Sequence, residues 1–148
     1  MIKPRALAHI VLKVRDLERS ERFYTDILGL KVTGRVDGQM VFLSANDKHH
    51  ELALMRVGPR AKDAEQLQVG LLHFAWELES FKELKAAYRL LKEKGAPILG
   101  SMDHGISKGL YFLDPDGNQI EVYCDNPREE WEKLANPFGG SAPINLDD

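Results

Sequence analysis

Two stretches of the chain alternate apolar and polar residues in closely similar ways. The first is Leu7-Ala8-His9-Ile10-Val11-Leu12-Lys13-Val14 and the second Leu71-Leu72-His73-Phe74-Ala75-Trp76-Glu77-Leu78. A period of two is the mark of a half-buried strand. Ile10, Leu12 and Val14 share one face, as do Phe74, Trp76 and Leu78. The two histidines fall on the opposite, less apolar face.

After each stretch the pattern turns helical. Asp16 is a cap for a helix with Phe23, Tyr24, Ile27 and Leu28 on its inner side and Gly29 as its stop. Ser80-Phe81-Lys82-Glu83 is a capping-box pattern. Leu84, Ala87, Tyr88 and Leu91 form the buried stripe that follows, closed by Gly95 and Pro97. Short apolar runs complete each half: Val41 to Ser44 and Glu51 to Met55 in the first, Leu110 to Leu113 and Gln119 to Tyr123 in the second. Asp114-Pro115-Asp116-Gly117-Asn118 is a turn between the last two. The repeat pairs Phe42 with Phe112 and Glu51 with Glu121.

Each half therefore reads β-α-β-β-β. The predicted fold is α+β: two βαβββ modules, 5–58 and 70–125, pairing into a U-shaped mixed sheet around a metal-binding cavity, as one domain. Residues 59–69 are polar and form the linker. In the tail, 126–148, Asn126-Pro127 starts a short helix carrying Trp131 and Leu134. The Gly- and Pro-rich stretch from Pro137 to Asp148 is expected to be loosely held.

Composition narrows the function. The chain is 43% apolar and 29% charged, with net charge −3 and both signs interspersed. No clustered basic face is available for nucleic acid or a membrane surface. No apolar run is long enough to span a bilayer, and Met1 to Ala8 has no apolar signal core. The single cysteine, Cys124, makes no internal disulfide. A reducing cytoplasm is the expected address.

His9, His73 and Glu121 are placed by strand parity on the mixed faces. Two imidazoles and one carboxylate on one side of an ion leave several coordination positions free. This set suits Fe(II), and also Mn(II), Ni(II) or Zn(II). A lone strand histidine is usually structural, but two in equivalent repeat positions with an acid in a third strand point to a metal.

These segments, with Asp16-Leu17-Glu18-Arg19-Ser20, Phe23-Tyr24, Asp26-Ile27-Leu28-Gly29-Leu30 and Asp114 to Glu121, resemble the vicinal oxygen chelate superfamily over Leu7 to Cys124. That superfamily includes glyoxalases, bleomycin resistance proteins and extradiol dioxygenases. Asn46-Asp47-Lys48-His49-His50-Glu51 is similar to the extradiol enzymes, in which a histidine at the position of His50 moves protons. The resemblance assigns Tyr111 a substrate hydrogen bond and His104 a supporting place beside it. It implies Fe(II)-dependent ring cleavage of a catechol-type aromatic diol by O2, in a homodimer. Taken alone, His49 and His50 suit a polar turn, Tyr111 a packing position and His104 a loop.

Glu51 opens a second reading. In glyoxalase I that position supplies a fourth ligand, which favours Ni(II) or Zn(II) isomerase chemistry. Alternation sets His50 and Glu51 on opposite faces unless a bulge intervenes. A third reading is a metal-free cavity that sequesters a drug, against which the intact ligand set argues.

Overall fold

The first alternating stretch forms β1 (Ile10–Val14), and Asp16 caps α1 (Leu17–Asp26) by accepting a hydrogen bond from the Arg19 amide. Three strands follow: β2 (Lys31–Val36), β3 (Met40–Ser44) and β4 (Leu52–Arg56). The second half repeats the order with β5 (Phe74–Glu77), α2 (Phe81–Lys94), β6 (Ile98–Asp103), β7 (Ser107–Leu113) and β8 (Gln119–Asp125). Ser80 caps α2, and Gly95 ends it in the left-handed conformation at φ 68°. A short α3 (Arg128–Trp131) and β9 (Ala142–Pro143) complete the chain.

This computed structural model describes residues 1–148. They form two compact units, Met1–Glu65 and Gln66–Asp148, dividing within the polar 59–69 stretch. The first unit holds a four-stranded sheet ordered β1-β4-β3-β2, the second a five-stranded sheet ordered β5-β8-β7-β6-β9. Each is mixed, because β1 runs parallel to β4 and β5 parallel to β8 while the remaining pairs are antiparallel. The α+β class and the β-α-β-β-β order of each half are as the hydrophobic pattern predicts. No helix is long and apolar enough to cross a membrane.

Each helix packs on the apolar face of its own sheet, α1 on β3 and β4 and α2 on β7 and β8. The first core gathers Leu12, Val14, Tyr24, Val41, Leu43, Leu52 and Leu54. The second gathers Leu84, Leu91, Leu110, Phe112, Ile120, Val122 and Cys124. The parity read from the sequence thus holds on the helix-covered faces. The strand after each helix, which the pattern does not mark, carries an irregularity before a glycine in both units: Val32/Gly34 in β2 and Ile98/Gly100 in β6. A glycine inside a strand commonly marks such a bulge.

Three expectations change. His9 and His73 lie immediately before β1 and β5, outside the hydrogen-bonded strands. The stretch from Pro137 to Asp148 is anchored rather than loose. Its β9 pairs with β6, Ser101 Oγ donates to the Ile144 carbonyl at 2.8 Å, Leu146 is 2% exposed, and Asp147 pairs with Lys92 at 2.8 Å.

The third change is the repeat register. Ile10, next to His9, pairs with Leu52, and Phe74, next to His73, pairs with Ile120. One residue on, Val11 pairs with Ala53 and Ala75 with Glu121. Across the antiparallel ladder Ala53 faces Phe42, as Glu121 faces Tyr111. The counterpart of Glu121 in the first unit is therefore Ala53, not Glu51, and Phe42 matches Tyr111, not Phe112. For the acid the slip is two residues, which keeps it on its face, so alternation alone does not reveal it; for the aromatic it is one residue, which changes the face.

Candidate functional site

The second unit assembles a continuous chain of polar side chains on the face away from α2. His73, just before β5, places Nε2 3.1 Å from Glu121 Oε2. The other oxygen of Glu121 accepts a hydrogen bond from Tyr111 Oη at 3.0 Å. Tyr111 Oη is in turn 2.8 Å from His104 Nε2. The phenol has one proton and gives it to Glu121, so His104 Nε2 is the donor of the second bond. The Tyr111 ring also meets the His73 ring edge-on, with centroids 5.5 Å apart.

Glu121 is 8% exposed. Its carboxylate lies over Gly109 of β7: a Cβ built on Gly109 would come within 2.3 Å of Glu121 Oε1. The acid occupies the space that any larger residue at 109 would fill. Burial, then the Glu121 charge and the hydrogen bond to it, pushes the Tyr111 hydroxyl up to about 12. In the metal-free chain Tyr111 is therefore a neutral donor.

One distance in this cluster fits a metal. Two donors at right angles, each about 2.1 Å from one ion, stand about 3.0 Å apart, close to the 3.1 Å between His73 Nε2 and Glu121 Oε2. His73 Nδ1 is buried without a hydrogen-bond partner. No three His, Cys, Asp or Glu side chains are gathered closely enough to hold an ion. His73 and Glu121 supply two donors in the second unit, and the third candidate, His9, belongs to the first.

In the first unit three imidazoles lie together. The His9 and His50 rings are 4.6 Å apart, as are those of His49 and His50, whose Nδ1 atoms are 2.7 Å apart. Phe42 meets the His50 ring edge-on at 5.2 Å. His50 and Glu51 both lie outside β4, and His50 reaches His9 and Phe42 from this irregular segment. Partial burial, then the neighbouring imidazoles of His49 and His9, holds His50 below the ordinary histidine range. Glu51 Oε2 is buried with no hydrogen-bond partner.

Of the residues singled out in the sequence, His73, Glu121, Tyr111 and His104 meet in one unit, and His9 and His50 meet in the other. Gly109 and Asn126 were missed. A glycine amid the strand residues Lys108 to Leu113 is the signal for Gly109. Asn126, read only as a helix start, has its side chain turned back onto the 103–108 segment.

The family model described as the Glyoxalase/Bleomycin resistance protein/Dioxygenase superfamily matches residues 6–122. The chain is 39% identical over 127 residues to a catechol-2,3-dioxygenase of Bacillus subtilis, covering 86% of this chain and 44% of that protein. It is 34% identical over 126 residues to biphenyl-2,3-diol 1,2-dioxygenase 3 of Rhodococcus globerulus, covering 84% and 65% respectively. The chain thus spans about half to two thirds of the length of these relatives. Among solved structures, a lactoylglutathione lyase from Agrobacterium tumefaciens is 26% identical with a TM-score of 0.64, covering 82% of this chain and 94% of that one.

Proposed function

From the premise that the chain belongs to the Glyoxalase/Bleomycin resistance protein/Dioxygenase superfamily, we propose that it is an Fe(II)-dependent extradiol dioxygenase opening a catechol-type aromatic diol with O2. The observation that carries this reading is the chain from His73 through Glu121 and Tyr111 to His104. The relatives named as diol dioxygenases support the same choice.

His9, His73 and Glu121 would hold the metal, with Mn(II), Ni(II) or Zn(II) as alternatives to iron. A bound Fe(II) would acidify the diol and bring it together with O2. Tyr111 Oη keeps its proton, and with substrate bound it would turn that donation from Glu121 to the developing oxyanion. His104 Nε2 donates to Tyr111 and fixes the direction of that donation. His50, beside His9 and Phe42, is the group placed to move a proton to or from substrate. A homodimer is expected, and sedimentation would test it.

A second reading rests on Glu51, whose buried and unpartnered Oε2 is what an additional ligand would offer. It makes the protein a lyase or isomerase using Ni(II) or Zn(II), in keeping with its likeness to a lactoylglutathione lyase. Anaerobic loading with Fe(II), then catechol and air, separates the two. A coloured ring-cleavage product is expected. No such product, together with turnover of methylglyoxal and glutathione in Ni(II) or Zn(II), would replace the dioxygenase with the isomerase. Ligand binding without turnover and independent of metal would favour sequestration.

A further inference from the structure

The β6–β7 connection is short. Asp103 ends β6, Ser107 begins β7, and only His104, Gly105 and Ile106 lie between them. His104 is the residue of this turn that hydrogen-bonds Tyr111. The turn needs the left-handed conformation of Gly105, at φ 81°. The Gly105 amide donates to Asp103 Oδ1 at 2.8 Å.

What grips this turn is Asn126, one residue past β8 and 6% exposed. Its Nδ2 donates both to Asp103 Oδ1 at 3.0 Å and to the Gly105 carbonyl at 2.9 Å. Its Oδ1 accepts from Lys108 Nζ, which also pairs with Asp103 at 3.3 Å. Its amide donates to the Ile106 carbonyl at 2.9 Å, and its carbonyl accepts from Trp131 Nε1 at 3.2 Å. Asn126 therefore bonds Asp103 and Gly105, the two neighbours of His104, and Ile106 after them. Only an amide side chain offers two donors and an acceptor in this shape.

From this placement we infer that Asn126, with Asp103 and Lys108, is a positioning residue: it holds the turn so that His104 Nε2 donates to Tyr111 and the hydrogen-bond chain to Glu121 keeps its direction. The inference rests on the dioxygenase reading only for its consequence in catalysis. An aspartate at 126 would face the Asp103 carboxylate and the Gly105 carbonyl with no donor to offer either. It would fill the same space and still release the turn.

The test uses the full chain without metal. Long-range proton–nitrogen NMR correlations report the tautomer of each of the five histidines, and a His104→Gln spectrum identifies the signals of His104. Wild type is expected to show His104 fixed as the Nε2–H tautomer. Asn126→Ala and Asn126→Asp are expected to show averaged tautomers at His104 while circular dichroism and cooperative melting report an intact fold. A purely structural residue would lower the melting temperature and leave that tautomer fixed. Either variant folded with His104 still locked would overturn the inference, and so would loss of the fold in both.

With Fe(II) and catechol, each variant is expected to lose about 10- to 100-fold in kcat, the usual cost of disturbing an outer-shell partner, with a smaller change in KM. Asn126→Ala should add little to His104→Ala, because both act through one hydrogen bond. If wild type fails to turn over catechol, the dioxygenase reading falls while the tautomer measurement still decides the role of Asn126.

Discussion

The two units share strand order, capping and a histidine just before the first strand, yet they fill the corresponding positions of their sheets differently. Where the second unit has Glu121 between Ala75 and Tyr111, the first has Ala53 between Val11 and Phe42. Gly109, which makes room for the Glu121 carboxylate, sits opposite Tyr123; its counterpart is Met40, opposite Met55. One copy of the scaffold thus holds a buried acid with a phenol donor and a glycine cradle. The other closes the same position with apolar groups and contributes imidazoles from its margins. A buried carboxylate is tolerated only where partners are built around it, and the duplication supplied those partners once.

The sharpest way to break this comparison is to treat the two acids alike. Glu121→Gln keeps the shape and removes the charge. Catechol turnover by the iron-loaded protein should fall on the order of a thousandfold, with less iron retained on desalting. Glu51→Gln should leave both within about threefold, since the ladders put Ala53 in the matching position. A comparable collapse in Glu51→Gln would show that Glu51 also serves the site and would break the comparison.

The reverse experiment places an acid where no partners exist. Ala53→Glu would bury a charge beside Phe42 and is expected to destabilise the first unit by about 3–5 kcal/mol, read from denaturant unfolding. A cost under about 1 kcal/mol would mean that the position tolerates charge without the glycine and the phenol.

Gly109→Ala sharpens the comparison at the cradle. The added methyl would meet Glu121 Oε1 at 2.3 Å, so the carboxylate must move. Activity and iron retention should drop about 10- to 100-fold, as for other groups that orient ligands. Met40→Ala at the matching position should cost stability alone. Equal activity losses in both variants would show that the cradle has no special part.

The smallest effect concerns Tyr111, which has only Phe42 as its counterpart. A spectrophotometric titration of the metal-free protein should show one phenol ionising near 12. Between the ordinary tyrosine value of about 10 and 12, the folded chain keeps a proton that the unfolded chain has lost. Stability should therefore decline as pH rises through that window. Glu121→Gln should lower the midpoint only in part, because burial is the larger cause. A midpoint near 10 in wild type would mean that Tyr111 is not enclosed.

Alternation and capping residues determined the repeated β-α-β-β-β order, the faces of Leu12, Val14, Ile120 and Val122, and the ends of both helices, because these depend on neighbours a few positions apart. Alternation and the repeat drew attention to His9, His73 and Glu121, whereas His50, His104 and Tyr111 came from the family resemblance. Tertiary structure alone decided that Ala53, and not Glu51, answers to Glu121, since a two-residue slip preserves alternation and only cross-strand hydrogen bonds fix register. It also decided that Gly109 gives the acid its space, that Asn126 grips the turn of His104 and that Leu146 is buried. Each of these rests on contacts between residues distant in sequence, which no periodicity records.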